Sequence, residues 1–326
     1  MFRNNILNIF QGYKILKYLV VVSLFAACSK EQVSDVSVLY WNIQNGMWSE
    51  QTNNYDNFVA YVKGINPDIC VWTEAQTLYE NDTNVIINPD NAYLVDGWGE
   101  LAQRYGHKYW CVSGQNDEYP QVITSKYPIE CVKRIFGTWP DQIVVHGSCW
   151  VRIKVNRRKI NIVPVHLWAQ EYAFSISDDF DYNMSEIKKE GDKYRLMEMK
   201  HIFNETIKHN NINDEAWLFI GDYNSFSIVD NTVYDLPKND TEFLVHEYIR
   251  SRGDLYDLML ESHPGTFSTT HVSGKRLDYI YASKLILDNT IDVGVIVDDY
   301  TTPKEKGMFY TPSDHYPIYL RFNTIY

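Results

Sequence analysis

From residue 36 onward, strand-like and helix-like hydrophobic patterns alternate along the chain. Residues 36–43 alternate and are β-branched, which predicts a strand. Phe58, Tyr61, Val62 and Ile65 recur at helical spacing over 55–65, and Asn66-Pro67 stops that helix. A short buried strand is predicted over 69–73, and a short helix over 101–105 closes at Gly106. Strands are then predicted over 108–112, 121–124, 131–136, 143–155 and 159–165, the last two joined by a hairpin at Asn156-Arg157-Arg158. A second long helix is predicted over 192–209 and a strand over 216–220. A third helix over 241–252 has Asp240 as N-cap and Gly253 as C-cap. Strands over 277–282, 291–297 and 317–322 close the chain. So many consecutive strands exclude a simple βαβ repeat and predict mixed-sheet α/β layers. No linker interrupts residues 37–326, so one domain is expected over 36–326.

The first residues follow another pattern. Arg3, Lys14 and Lys17 precede an apolar run over 18–27. As a helix it would span about 15 Å, half of the roughly 30 Å that a bilayer core requires. It reads as the apolar region of a signal peptide. Leu24-Phe25-Ala26-Ala27-Cys28 resembles a bacterial lipobox, which implies cleavage after residue 27, lipidation of Cys28 and a tether over 28–35. The competing reading is an ordinary signal peptide cut at a small-residue site. The lipobox reading places the protein outside the cytoplasm, lipid-anchored to the cell envelope, and Ser29 after the Cys resembles sorting to an outer membrane.

Composition adds three constraints. Nine Trp, 25 Tyr and 14 Phe supply a sizeable aromatic core. The net charge is −12, and all three charges before Cys28 are positive, so the remainder carries −15. That opposes a broad electrostatic grip on a polyanion, for which several Lys or Arg contacts are normally needed. Cys70, Cys111, Cys131 and Cys149 lie in apolar runs without zinc-like spacing. They either form up to two bridges, in three possible pairings, or remain buried thiols.

Six polar clusters stand at the ends of the predicted strands. They are Asn42, Glu74, His166, Asp222 with Asn224, Asp278, and Asp314-His315. Strand ends are rigid yet open at a sheet rim, where catalytic side chains are commonly mounted. Singly, each has an ordinary explanation: a turn cap for Asn42 or Asp314, a solvated carboxylate for Glu74, a core histidine for His166, an Asx-turn for Asp222 and Asn224, an ion pair for Asp278 with Arg276. Those explanations leave the joint order of residue types unaccounted for.

That order resembles the endonuclease/exonuclease/phosphatase superfamily, in its deoxyribonuclease-like and neutral-sphingomyelinase-like branches. The likeness rests on Leu39-Tyr40-Trp41-Asn42-Ile43, the run from Asn66 to Glu74, and Thr124-Ser125-Lys126-Tyr127-Pro128-Ile129. It continues through Val165-His166-Leu167, Gly221-Asp222-Tyr223-Asn224, Arg276-Leu277-Asp278-Tyr279-Ile280 and Ser313-Asp314-His315. The resemblance implies a four-layered α/β sandwich of two packed mixed β-sheets flanked by helices. It also implies a metal-dependent hydrolase of phosphoester bonds. Oxygen ligands suit Mg²⁺ or Mn²⁺.

By resemblance, Glu74, Asn42 and Asp314 are the metal ligands. His315 is the base or the holder of the phosphate, and Asp278 fixes its tautomer. Asp222 orients or deprotonates water, Asn224 donates to a phosphoryl oxygen if the chain is extended there, and His166 is an acid or transition-state donor. One departure stands out: the family's Gln before the metal-binding Glu is Thr73 here. Arg104 and His107, before a strand that could line the cleft, are candidate substrate contacts, against the simpler reading of a solvated helix end. The acidic, aromatic stretch 168–191 is expected at the site's rim or as a solvated loop. The substrate classes left open are a nucleic acid, a phospholipid headgroup and a small organophosphate. A non-catalytic surface binding protein on the same fold is the alternative, and a monomer is expected.

Overall fold

The computed structural model describes residues 35–75, 79–80, 85–86, 97–113, 119–138, 142–174, 190–306 and 309–324. The signal peptide, the tether with Cys28 and most of the stretch 168–191 lie outside the described residues. Among the described residues the strands are β1 Asp35–Asn42, β2 Ile69–Thr73, β3 Tyr79–Glu80, β4 Val85–Ile86, β5 Tyr109–Ser113, β6 Gln121–Ser125, β7 Ile129–Thr138, β8 Gln142–Val155, β9 Arg158–His166, β10 Ala216–Asp222, β11 Tyr256–Asp257, β12 Asp278–Ala282, β13 Thr290–Val295, β14 Lys304–Lys306, β15 Phe309–Thr311 and β16 Ile318–Asn323. The principal helices are α1 Asp56–Ile65, α2 Trp98–Arg104, α3 Gly191–Glu205 and α4 Leu244–Arg252.

Two six-stranded sheets dominate. The first runs β13-β16-β1-β2-β6-β5 and the second β11-β12-β10-β9-β8-β7. Each is antiparallel except at its centre, where β1 lies parallel to β2 and β9 parallel to β10. A parallel pair needs a crossover, and α1 and α3 supply one each.

Three apolar layers separate the elements. Val38, Tyr40, Ile69, Val71, Ile162, Leu218, Ile280 and Leu320 fill the space between the sheets. Phe58, Val62, Trp72, Trp98 and Leu101 bury the outer face of the first sheet under α1 and α2. Val163, Met199, Phe203, Phe219 and Ile249 do the same for the second sheet under α3 and α4. Alternation along each central strand feeds one layer with odd positions and the next with even ones. The result is a four-layered α/β sandwich of two mixed sheets, as the family resemblance implied.

The predicted elements recur with shifted ends. The helix expected over 192–209 breaks at Thr206, whose hydroxyl turns back on the Ile202 carbonyl at 2.7 Å, and a 3₁₀ turn over Ile207–His209 follows. Helix α4 is preceded by a 3₁₀ turn capped by the Asp240 side chain and ends at a left-handed Gly253. Of the four thiols, all free, Cys131 is exposed rather than buried. Among the described residues no helix is long and apolar enough to cross a membrane.

Candidate active site

The topology brings the polar clusters to one rim. The carboxyl ends of β1, β2, β9 and β10 carry Asn42, Glu74, His166 and Asp222. Strand β12 runs antiparallel to β10, so its first residue, Asp278, pairs with Asp222. Strand β16 runs antiparallel to β1, so Asp314 and His315, just before it, arrive at the same end. His166 lies opposite Asp222 in register. Gly221 sets how closely β10 approaches β9: a Cβ there would fall 1.7 Å from the Val165 carbonyl oxygen. Both sheets therefore contribute to one pocket.

Its floor is a chain of hydrogen bonds. The Tyr40 hydroxyl donates to Asp278 Oδ1 at 2.6 Å, and Asp278 Oδ2 lies 2.8 Å from His315 Nδ1. Thr73 Oγ1 is 3.1 Å from the same Tyr40 hydroxyl, so the residue at the departing position braces the tyrosine. His315 Nε2 faces Asp222 Oδ2 at 3.7 Å and Asp314 Oδ1 at 4.0 Å. Asn42 Nδ2 donates to Glu74 Oε1 at 3.1 Å and to Asp222 Oδ2 at 3.2 Å. The Asn45 amide donates to Glu74 Oε2 at 3.0 Å from a tight turn in which Asn45 and Gly46 are both left-handed. Glu74 and Asn224 also have positive φ, 52° and 46°. Backbone strain of this kind gathers where the surroundings enforce a functional geometry.

Charge is unbalanced here. Glu74, Asp222, Asp278 and Asp314 gather around His315, with His271 Nε2 3.5 Å from Asp314 Oδ2, and among the described residues no Lys or Arg pairs with any of them. Burial raises the Glu74 carboxyl, and the Asp314 charge adds to the rise. Asp222 is pushed up to about 7 by burial and by Asp278. Burial opposes the imidazolium of His315, but Asp278, Asp222 and Asp314 overrule it and hold its pKa well above the ordinary value. Asp314 Oδ1 is buried with no hydrogen-bond partner. An orphaned carboxylate oxygen within an acidic cluster matches the oxygen-rich set that a hard divalent cation takes. Asp222, Asp278 and His315 place ligand atoms within 4.8 Å of one another, and so do His271, Asp314 and His315.

Three sequence readings need correction. His107 is fully buried, with Nδ1 2.8 Å from Thr124 Oγ1 and Nε2 2.9 Å from the Pro67 carbonyl, and burial lowers its pKa to about 4. It is a satisfied core histidine. Arg104 is bound to Asp56 and to the Asn54 carbonyl. Neither stands with the cluster, because α2 packs on the outer face of the first sheet. Asn224 is not extended: its amide donates to Asp222 Oδ1 at 2.8 Å in an Asx-turn, and its Nδ2 donates to the Leu167 carbonyl at 2.9 Å.

The sequence reading missed Tyr40, His146 and His271. His146 stacks on His166, with ring centroids 4.2 Å apart. Burial, then His146 and His315, hold His166 well below its ordinary pKa, so its neutral form is favoured. Trp168 and Tyr119 flank His146. Tyr40 had a signal, since it shares a face with Asn42 two residues on. His271 had none, because it sits in a loop and meets His315 through an isolated backbone bridge and an edge-on ring contact at 4.7 Å.

This two-sheet fold, with a rim of carboxylates, amide and imidazoles, defines a phosphoester-hydrolase class of site. Residues 39–315 match the model of the endonuclease/exonuclease/phosphatase family, and the chain belongs to that family. Similar solved structures include an AP endonuclease from Archaeoglobus fulgidus, at 15% identity and a TM-score of 0.58, covering 88% of this chain and 99% of that one. An endonuclease/exonuclease/phosphatase family protein from Bacteroides thetaiotaomicron shares 14% identity at a TM-score of 0.55, covering 90% and 99%. The 3' phosphatase NExo from Neisseria, bound to a product DNA hairpin, shares 17% identity at 0.53, covering 88% and 99%. At such identities the likeness carries the fold alone. No match was found among curated proteins.

Proposed function

We propose that the chain is an exported, lipid-anchored hydrolase that uses Mg²⁺ or Mn²⁺ to cleave a phosphoester in a nucleic acid, a phospholipid headgroup or a small organophosphate. One observation carries the reading: Asn42, Glu74, Asp222, Asp278, Asp314 and His315 converge in one cluster whose four carboxylates pair, among the described residues, with no Lys or Arg and only with the imidazoles of His315 and His271.

Glu74, fixed by Asn42 and the Asn45 amide, and Asp314, with its orphaned oxygen, would hold the cation. Such an ion neutralises phosphoryl charge and makes bound water a better nucleophile. Asp222, titrating at about 7, is poised to take a proton from the attacking water near neutral pH. His315 stays charged and, with Nδ1 on Asp278, presents its Nε2 proton to a phosphoryl oxygen. This favours the phosphate-holding role over the base. His166, kept neutral opposite Asp222, serves as a hydrogen-bond donor rather than an acid.

The deciding measurement is metal-dependent hydrolysis of bis-p-nitrophenyl phosphate, followed by a panel of nucleic acids, sphingomyelin, phosphoinositides and sugar phosphates. Turnover that requires added Mg²⁺ or Mn²⁺ is expected. No cleavage of any phosphoester would leave a binding protein on a hydrolase fold. For the anchor, Cys28→Ser is expected to move the protein out of the membrane fraction, and persistent membrane association would refute lipidation at that residue.

A further inference from the structure

Away from the pocket, three of the four free cysteines meet. Cys70 packs in the outer layer under α1 and α2. The others face the opposite way. Cys111 on β5 stands opposite Ile123, and Cys131 on β7 stands opposite Val151. Cys149 is two residues before Val151 on β8. Ile123, Cys149 and Val151 all belong to the layer between the sheets, and Cys111 packs against it. Directly opposed residues share a face, and so do residues two apart. The register therefore sends all three thiols to the same layer.

The place is an open edge. Strands β5 and β7 are the last strands of their sheets, and residues of β5 approach β7 and β8 to within 8 Å between Cα atoms. Arg134 Nη1 on β7 donates to the Val112 carbonyl on β5 at 2.6 Å, tying the edges together beside the thiols. The Cys111 thiol donates to the Val112 carbonyl at 3.7 Å, with Cys149 and Cys131 as its neighbours on the same face. Access is graded: Cys131 is exposed, Cys111 intermediate and Cys149 buried. Reactivity is graded too. The neighbouring Cys149 thiol brings Cys111 down to about 6 against the effect of burial, and Cys131 and the Arg134 charge add to the fall. Burial raises both Cys131 and Cys149. A low-pKa thiol beside a cation, with a second thiol in reach, is the arrangement of a reactive cysteine and its resolving partner.

We propose that Cys111, Cys131 and Cys149 form a thiol–disulfide exchange site, in which Cys111 reacts with a small disulfide and Cys131 resolves the adduct into a Cys111–Cys131 bridge between the two sheets. In the first step the Cys111 thiolate attacks RSSR, forming Cys111–S–S–R and releasing RS⁻. In the second the Cys131 thiolate attacks the Cys111 sulfur, forming the protein disulfide and releasing a second RS⁻. Two protein thiols lose two electrons and two protons in all, and one RSSR is reduced to two RSH. Cys149 is the poorer resolver because its thiolate would form in the apolar layer. Cys70, on the far side of the first sheet, has no partner in reach, so one bridge is the limit rather than two. The bridge joins the sheet edges and closes a loop in the unfolded chain, which stabilises the fold. The site goes beyond the hydrolase reading and does not depend on it.

The test uses the full chain, fully reduced, desalted and incubated with oxidised glutathione at neutral pH, with peptide mapping without reduction. One intramolecular Cys111–Cys131 bridge is expected, with a thermal midpoint raised by about 5 °C. Cys131→Ser is expected to stop at a glutathione adduct on Cys111, and Cys111→Ser to form no bridge. Far-UV circular dichroism checks that each variant folds, and mapping of the unmutated chain stands whether or not they do. The absence of any bridge overturns the proposal, as does a bridge through Cys149 or Cys70, or glutathione uptake by Cys111→Ser at the rate of the unmutated chain.

Discussion

Nδ1 of His315 lies 2.8 Å from Oδ2 of Asp278, and the other oxygen of that carboxylate receives the Tyr40 hydroxyl at 2.6 Å. Both residues are buried, Asp278 completely. Tyr40 holds the carboxylate, the carboxylate holds the ring, and Nε2 is left facing Asp222 and Asp314. Asp278→Asn keeps the shape but replaces one acceptor oxygen with an N–H donor facing Tyr40 or His315, so the imidazolium loses the counter-charge that holds its proton. We expect kcat to fall about 10²–10⁴-fold in Asp278→Asn and at least as far in His315→Ala, with thermal unfolding little changed in the latter. Tyr40→Phe keeps the packing and removes one donor, so a smaller loss, on the order of tenfold, is expected. Steady-state kinetics on one phosphodiester check the order. A drop of less than tenfold in both Asp278→Asn and His315→Ala would mean that the pair is not in the reaction path.

His271 bears on Asp314, one of the two proposed cation ligands. The Ser273 amide donates to its Nδ1 at 3.1 Å, so the ring proton of the neutral form sits on Nε2, which faces Asp314 Oδ2 at 3.5 Å. Asp314 is thereby oriented with its unpartnered Oδ1 toward the pocket. His271→Ala is expected to weaken Mn²⁺ binding about tenfold, measured as free Mn²⁺ by electron paramagnetic resonance. His271→Gln, which can still donate, is expected to keep most of the affinity. Equal affinities in the alanine variant and the unmutated chain would remove His271 from this role.

Much of this cluster is written in short strings, because each of its side chains sits within a few residues of a strand end. A strand is legible from alternation, and its end from the first polar residue. That rule singles out Asn42, Glu74, His166, Asp222, Asp278 and His315, which the fold brings to one rim. What failed depended on the third dimension. His107 reads as a cleft residue until the packing of β5 on β6 puts Thr124 against its ring. Asn224 reads as extended until the Asx-turn gives it positive φ. His146 is hidden inside a long strand run, and only the pairing of β8 with β9 sets it on His166. The turn over 44–55, with several left-handed residues, carries no periodicity at all, yet it supplies the Asn45 amide to Glu74.

Glu198 makes stability depend on pH. It is fully buried on α3, accepting from the Val145 amide at 2.9 Å and the Trp168 amide at 2.8 Å. Burial pushes its carboxyl up to about 7, while the two amides, His146 and Arg195 pull the other way. An unfolded glutamate titrates near ~4.3. Between that pH and about 7 the native state binds more protons than the unfolded one, so stability falls as pH rises through the window. Below it both states are protonated and the contribution is flat; above it both are ionised and the native state carries the full cost. A shift of this size corresponds to about 4 kcal/mol, most of it within the window from pH 5 to pH 8. Glu198→Gln cannot ionise, so its unfolding free energy is expected to change between pH 5 and pH 8 by roughly 3 kcal/mol less than that of the unmutated chain. Urea unfolding at stepped pH measures the difference, and parallel curves for the two proteins would show that this carboxyl titrates normally.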